Sequence, residues 1–337
     1  MPTRRHFSAA IIAALCLATI ASPGHAQSGR QTITINGEER HYVVTVPDGV
    51  EDVPGGVPLV LVLHGAGGNG PNVMAMSRFD EKAEEEGFIA VFPEGTTRGI
   101  YVGNNLFLTW NAEHCCGYAL SNETDDIGFI TALLDKLERD YPIDPNRIYV
   151  AGMSNGAMMT HQIALALSDR IAAIGTVVGA MFGDEFPPRN PVSAIIINAA
   201  EDDLIPIEGG ALGLGLLMPD DWAWDGTPLA PSEFQATFWA MANGCVSKPV
   251  FVDRKPEFTQ TGFLCPEGIG VEYYVVEDNG HAWPGDTRIT PMGRDANNDF
   301  DATGVMWTFF ERHPLVTRDA PPADGEVDPQ SPGSVQF

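Results

Sequence analysis

The chain has 337 residues and carries 19 Lys and Arg against 45 Asp and Glu, a formal net charge of −26. A field of that sign repels nucleic acid, anionic membranes and polyanionic substrates, so none of these is an expected partner. Beyond the first 26 residues no stretch approaches the roughly 18 to 20 consecutive apolar residues that a membrane helix needs.

Residues 1–26 read as an export signal: Arg4 and Arg5, an apolar run from Ala9 to Ile20, and the small-residue site Gly24-His25-Ala26. The "TRRHFS" stretch also fits the twin-arginine pattern, and either route predicts a secreted or periplasmic protein. Loss of this leader, which has two arginines and no acid, leaves 17 cations against 45 acids, or −28. Residues 27–316 are expected to form one domain, since no Pro/Ser-rich linker divides them. Residues 317–337, rich in Pro and acid with little to bury, are expected to form a tail without chemistry.

Along the domain, "TITING" and "RHYVVTVP" predict an opening hairpin, and "VPLVLVLH" (57–64) a strand buried on both faces. Further strands are predicted at 88–93, 147–152, 193–200 and 271–277. Between them Ile127, Ile130, Leu134 and Leu137 keep one helical face, and Phe234, Phe238 and Met241 another. The alternation predicts an α/β domain with a mostly parallel sheet. Two long connections, 94–124 and 207–231, have the length of binding loops or lids.

The pentapeptide Gly152-Met153-Ser154-Asn155-Gly156 follows a strand and precedes a helical run. Such a turn strains the serine and exposes its hydroxyl where open α/β sheets place ligands. A serine needs a base, and the base an orienting acid, following it in chain order. After Ser154 only His161, His281 and His313 remain. His161 reads as a packing residue and His313 as a solvated cation at a helix end, which leaves His281 in "DNGHAWPG" as the base. The acid is expected in "NAAEDDLIP", with Asp202 preferred and Asp203 in reserve. The oxyanion donors are expected to be the backbone N–H groups of Asn155 and of Ala66 in "LHGAGGNG". Met153, Trp110 and Trp222 are the expected substrate contacts.

Four cysteines follow the leader; Cys245 with Cys265 is the favoured disulfide, leaving Cys115 and Cys116 bonded to each other or free. "DANNDFDATG" (295–304) has the alternating oxygens of a calcium loop but neither its central glycine nor its final glutamate. Asp301 as a helix N-cap accounts for it, and no metal or other cofactor is expected.

Taken in chain order, "LVLHGAGGN", "WNAEHCCG", "DDIGFI", "DPNRIYVAGMSNGAMM", "DDLIP", "WAMANGC" and "GHAWPG" make the chain resemble the secreted polyhydroxybutyrate-depolymerase and feruloyl-esterase group of α/β hydrolases. The resemblance runs from about His41 to His313. It implies the α/β-hydrolase fold and a Ser154–Asp202–His281 triad. It also implies an oxyanion donor in the "LHG" turn and Trp283 flanking the acyl site. Two departures stand out: the segment before the acid reads Asn198-Ala199-Ala200-Glu201, and the insertion 209–231 is long for the group. The expected activity is carboxylic-ester hydrolysis on feruloyl or acetyl esters of plant polysaccharide or on hydroxyalkanoate oligomers. An ester substrate is the one partner implied. Acyl transfer to an alcohol and a non-catalytic surface-binding role are the alternatives.

Overall fold

The protein is described by a computed structural model covering residues 28–99, 101–102, 105–213, 224–288 and 296–316. The expected leader (1–26) and tail (317–337) lie outside the described residues.

In chain order the elements begin with the hairpin β1 (Gly29–Ile35) and β2 (Glu38–Thr45), then β3 (Val57–Leu63), α1 (Gly70–Ser77), α2 (Phe79–Glu86) and β4 (Ile89–Pro93). A short ribbon, β5 (Tyr101–Val102) and β6 (Asn105–Leu106), and α3 (Gly117–Ser121) lie within the first long connection. Then come α4 (Asp126–Asp140), β7 (Ile143–Met153), α5 (Asn155–Ala166), β8 (Ala173–Val177) and β9 (Ser193–Ala199). The chain continues with α6 (Glu233–Ala242), β10 (Phe251–Arg254), β11 (Phe258–Gly262), β12 (Val271–Val276) and α7 (Ala302–Glu311).

Ten strands form one sheet in the order β1-β2-β4-β3-β7-β8-β9-β12-β11-β10. The six central strands from β4 to β12 are parallel, while β1 and β2 at one edge and β11 and β10 at the other pair antiparallel. Strand β3 shows why the centre is uniformly apolar: Leu59, Leu61 and Leu63 enter the core on one face, Val60 and Val62 the core on the other. Each such leucine contributes about 1.5–3 kcal/mol by leaving water. Helices α4, α5 and α6 cover the first face through Phe129, Met159 and Trp239, and α1, α2 and α7 cover the second through Val73, Phe79 and Phe309.

Three features depart from the sequence reading. Strand β8 was not anticipated; its Gly175 leaves room for Met306 of α7, whose sulfur would lie 2.8 Å from an added Cβ. The β10–β11 edge also escaped notice, because β10 is exposed along its whole length and has no buried face to set a period. Met241 does not share a buried face with Phe238: it is exposed, and α6 instead buries Gln235, Ala236, Phe238, Trp239 and Ala240.

Candidate active site

Ser154 lies between β7 and α5 with φ 56° and ψ −125°, a conformation that costs an L-residue of order 1–3 kcal/mol. Its surroundings hold it there. The Ser154 N–H donates to Val177 O of β8 at 3.0 Å, and its carbonyl accepts from Ala157 and Met158 N–H, opening α5. The flanking glycines are a steric requirement: a Cβ at Gly152 would stand 2.6 Å from Thr160 Oγ1, and one at Gly156 2.6 Å from Leu63 O. Strand, serine and helix can therefore pack this tightly only with glycine on both sides.

Strands β9 and β12 are parallel neighbours, with Ala199 opposite Val276, so the loops at their carboxyl ends rise side by side. The first carries Asp202 and the second His281. Asp202 Oδ1 accepts from the N–H groups of Leu204 and Ile205, both at 2.9 Å, which aims Oδ2 at His281 Nδ1, 2.8 Å away. A carboxylate oxygen accepts, so Nδ1 carries the hydrogen and Nε2 is left to accept from the Ser154 hydroxyl at 2.9 Å. Asp202 is buried and the His281 side chain is only 11% exposed, so the line from acid to serine is shielded from water. Among the three adjacent acids it is Asp202, not Glu201 or Asp203, that meets the imidazole.

Neither the Ala66 N–H nor the Asn155 N–H has a hydrogen-bond partner among the described residues. The turn that carries Ala66 is held by His64, which sequence reasoning passed over. His64 Nδ1 lies 2.8 Å from Gly65 O, and its Nε2 accepts from Gly95 N–H at 3.0 Å, so Nδ1–H is the donor to Gly65. The Gly65 carbonyl and the Ala66 N–H belong to one planar peptide, so fixing the first aims the second. Burial lowers the His64 pKa to about 4, which keeps this imidazole neutral. The Asn155 side chain was also missed: Oδ1 accepts from Trp110 N–H at 2.8 Å, and Nδ2 donates to Trp110 O and Cys115 O. It ties the first long connection to the start of α5.

The expected substrate contacts fare differently. Trp110 is fully buried and its indole N–H donates to His64 O at 2.9 Å, so it braces the glycine turn and has no face for a substrate. Trp283 is 1% exposed, donates to Thr303 Oγ1 and packs edge-on to Phe79; it too belongs to the core and not to an acyl site. Met153 retains 8% of its surface, and Trp222 lies outside the described residues.

Of the other histidines, His161 is buried as a packing residue, accepting from Trp239 Nε1–H and donating to Gln235 Oε1, its pKa lowered to about 4 by burial. His313 is not a solvated cation. It is buried against the Phe309 ring and bonds the Phe309 carbonyl through Nδ1, and burial lowers its pKa.

Two disulfides are present, Cys245–Cys265 and, between adjacent residues across a cis peptide, Cys115–Cys116. Asp301 caps α7 by accepting from Gly304 N–H. Among the described residues no cluster of three or more His, Cys, Asp or Glu could hold a metal ion, and no helix is long and apolar enough to cross a membrane.

The sequence and the fold have relatives among known proteins. Residues 41–202 match the family described as Esterase PHB depolymerase. The match takes in the "LHG" turn, Ser154 and Asp202, and the resemblance read from the motifs is borne out. A poly(3-hydroxybutyrate) depolymerase of Ralstonia pickettii is 26% identical over 90% of this chain and 64% of its own length. Feruloyl esterase C of Emericella nidulans is 26% identical over 56% of this chain and 65% of its own. The chain thus spans just under two thirds of these two relatives. An acetyl xylan esterase from Aspergillus awamori superposes with a TM-score of 0.52 at 16% identity, covering 82% of this chain and 99% of that one. The fold is the α/β-hydrolase fold.

Proposed function

We propose that this protein is an exported serine carboxylic-ester hydrolase that works through an acyl-enzyme. The observation that carries the reading is the continuous hydrogen-bond line from Ser154 Oγ through His281 to Asp202, at 2.9 and 2.8 Å. His281 Nε2 takes the hydroxyl proton as Ser154 Oγ bonds to the ester carbonyl carbon, and Asp202 steadies the imidazolium. The carbonyl oxygen becomes an oxyanion received by the Ala66 and Asn155 N–H groups. As the tetrahedral centre collapses, the ester C–O bond breaks and His281 returns its proton to the departing alcohol. Water then attacks the acyl group, giving its proton to His281. Breakage of the Ser154–acyl bond returns that proton to Oγ and frees the acid.

The relatives named as depolymerase and feruloyl esterase support two substrate classes, hydroxyalkanoate oligomers and feruloyl or acetyl esters of plant polysaccharide. The test is intact-mass analysis after treatment with a fluorophosphonate, alongside turnover of short p-nitrophenyl esters, methyl ferulate and a hydroxybutyrate oligomer. A single adduct on Ser154 with turnover of at least one ester is expected. Absence of both adduct and turnover overturns the reading.

A further inference from the structure

We propose that Asn279 is a positioning residue that holds His281 between Ser154 and Asp202; the inference rests on the esterase reading above.

Asn279 lies two residues before His281 and is completely buried. Its side-chain Nδ2 donates to the carbonyls on both sides of the histidine, Gly280 O at 2.8 Å and Ala282 O at 3.2 Å. Its Oδ1 accepts from Asn297 N–H at 2.7 Å. The reverse amide orientation would set an oxygen against two carbonyls and an NH2 against an N–H, so only one placement satisfies every partner. Its backbone carbonyl accepts from the N–H of Glu201, the residue next to Asp202, at 3.0 Å. One buried residue therefore clasps the base loop on both sides of the imidazole and joins it to the acid loop.

The clasp is itself anchored. Asn297 Nδ2 donates to Glu277 O at 2.8 Å, and its carbonyl accepts from Gly285 N–H at 2.8 Å, so the segment entering α7 closes over the same loop. The loop from Glu277 to Gly285 has no helix or strand of its own, and glycine at 280 lends it freedom. Without the amide, the Gly280 and Ala282 carbonyls each lose a buried donor, and the turn across His281 keeps only the Ala282 N–H to Gly280 O bond at 2.8 Å. Displacement of a general base by about 1 Å can cost on the order of 100-fold in rate.

The test compares Asn279→Ala and Asn279→Ser with a matched control, Asn243→Ala. Asn243 is also buried and also pairs with a backbone N–H and C=O, those of Val192, before β9 at the opposite end of the strand from Asp202. Active sites are titrated with a fluorophosphonate, so that kcat is expressed per competent serine, and thermal melts are recorded. For Asn279→Ala we expect kcat to fall about 10- to 100-fold with KM within about twofold of wild type, and a slower fluorophosphonate reaction. Asn279→Ser, whose hydroxyl can serve one carbonyl, should fall between, and it carries the test if the alanine variant does not fold. Asn243→Ala should lower the melting temperature with kcat per site unchanged. An active wild type whose Asn279 variants match it in kcat per titrated site, whatever their melting temperatures, overturns this inference alone. An inert, unlabelled wild type overturns the esterase reading and the inference together.

Discussion

Gly65 approaches Ser154 so closely that a Cβ on the glycine would lie 3.1 Å from the Cβ of the serine. The turn that presents the Ala66 N–H and the turn that presents the hydroxyl are thus in contact through a backbone that carries no side chain. Gly65→Ala should push them apart by a few tenths of an ångström and lower kcat by about tenfold or more, with little change in KM. Steady-state kinetics on a p-nitrophenyl ester checks this, and an unchanged kcat would separate the glycine turn from oxyanion stabilisation.

Ser154→Ala keeps the strained backbone and removes only the hydroxyl. Loss of the nucleophile in serine hydrolases lowers kcat by up to about 10⁶-fold, and the same scale is expected here with a melting temperature close to wild type. Activity near wild type would remove Ser154 from the reaction.

Asp202 and Asp203 are adjacent and only the first bonds His281. Asp202→Asn replaces an obligate acceptor by a group that can present a donor to Nδ1, favouring the wrong imidazole tautomer. A fall of about 10⁴-fold in kcat is expected. Asp203→Asn should leave kcat within a few-fold of wild type, and parallel kinetics of the two variants decides between them.

His114 is clamped between Asp225, 2.7 Å from Nδ1, and Asp184, 3.1 Å from Nε2, beside Thr227 Oγ1 and the edge of the Phe182 ring. Burial on its own lowers the His114 pKa, but the hydrogen bonds and charges of Asp225 and Asp184 outweigh it and the net shift is upward from 6.5. A raised folded-state pKa gives stability that is complete below the unfolded value near 6.5 and is lost as pH rises through the folded value. The melting temperature of His114→Ala should therefore fall furthest below wild type at acidic pH, and the gap should narrow toward alkaline pH. Thermal melts of both proteins from pH 5 to 9 measure it, and a gap that widens with pH would contradict the clamp.

What could be read in the chain followed from period and local grammar. The uninterrupted apolar run of β3 marked a strand covered on both sides. The order of Ser154, Asp202 and His281 behind their strands led to three side chains that the structure brings into one hydrogen-bonded line. Edge strand β10 was silent because an exposed strand leaves no periodic trace. His64 was silent because a histidine in a glycine turn looks the same whether it faces solvent or, as here, stands buried with both nitrogens bonded.

The indoles mark the limit most clearly. Trp110 was an expected substrate contact, and the family resemblance implied that Trp283 flanks the acyl site. Burial, set by contacts such as Phe129 beside Trp110 and Phe79 beside Trp283, turned both into scaffolding. The sequence by itself determined the strand-and-helix alternation, the strained serine turn and the set of groups available for chemistry, because these depend on residues within a few positions of one another. Only the tertiary structure decided which acid faces the imidazole, what holds the glycine turn and which aromatic rings are withdrawn from solvent. Those outcomes depend on distances between segments as far apart as Asn155 and Trp110, or Asn279 and Asn297, and local pattern carries no record of them.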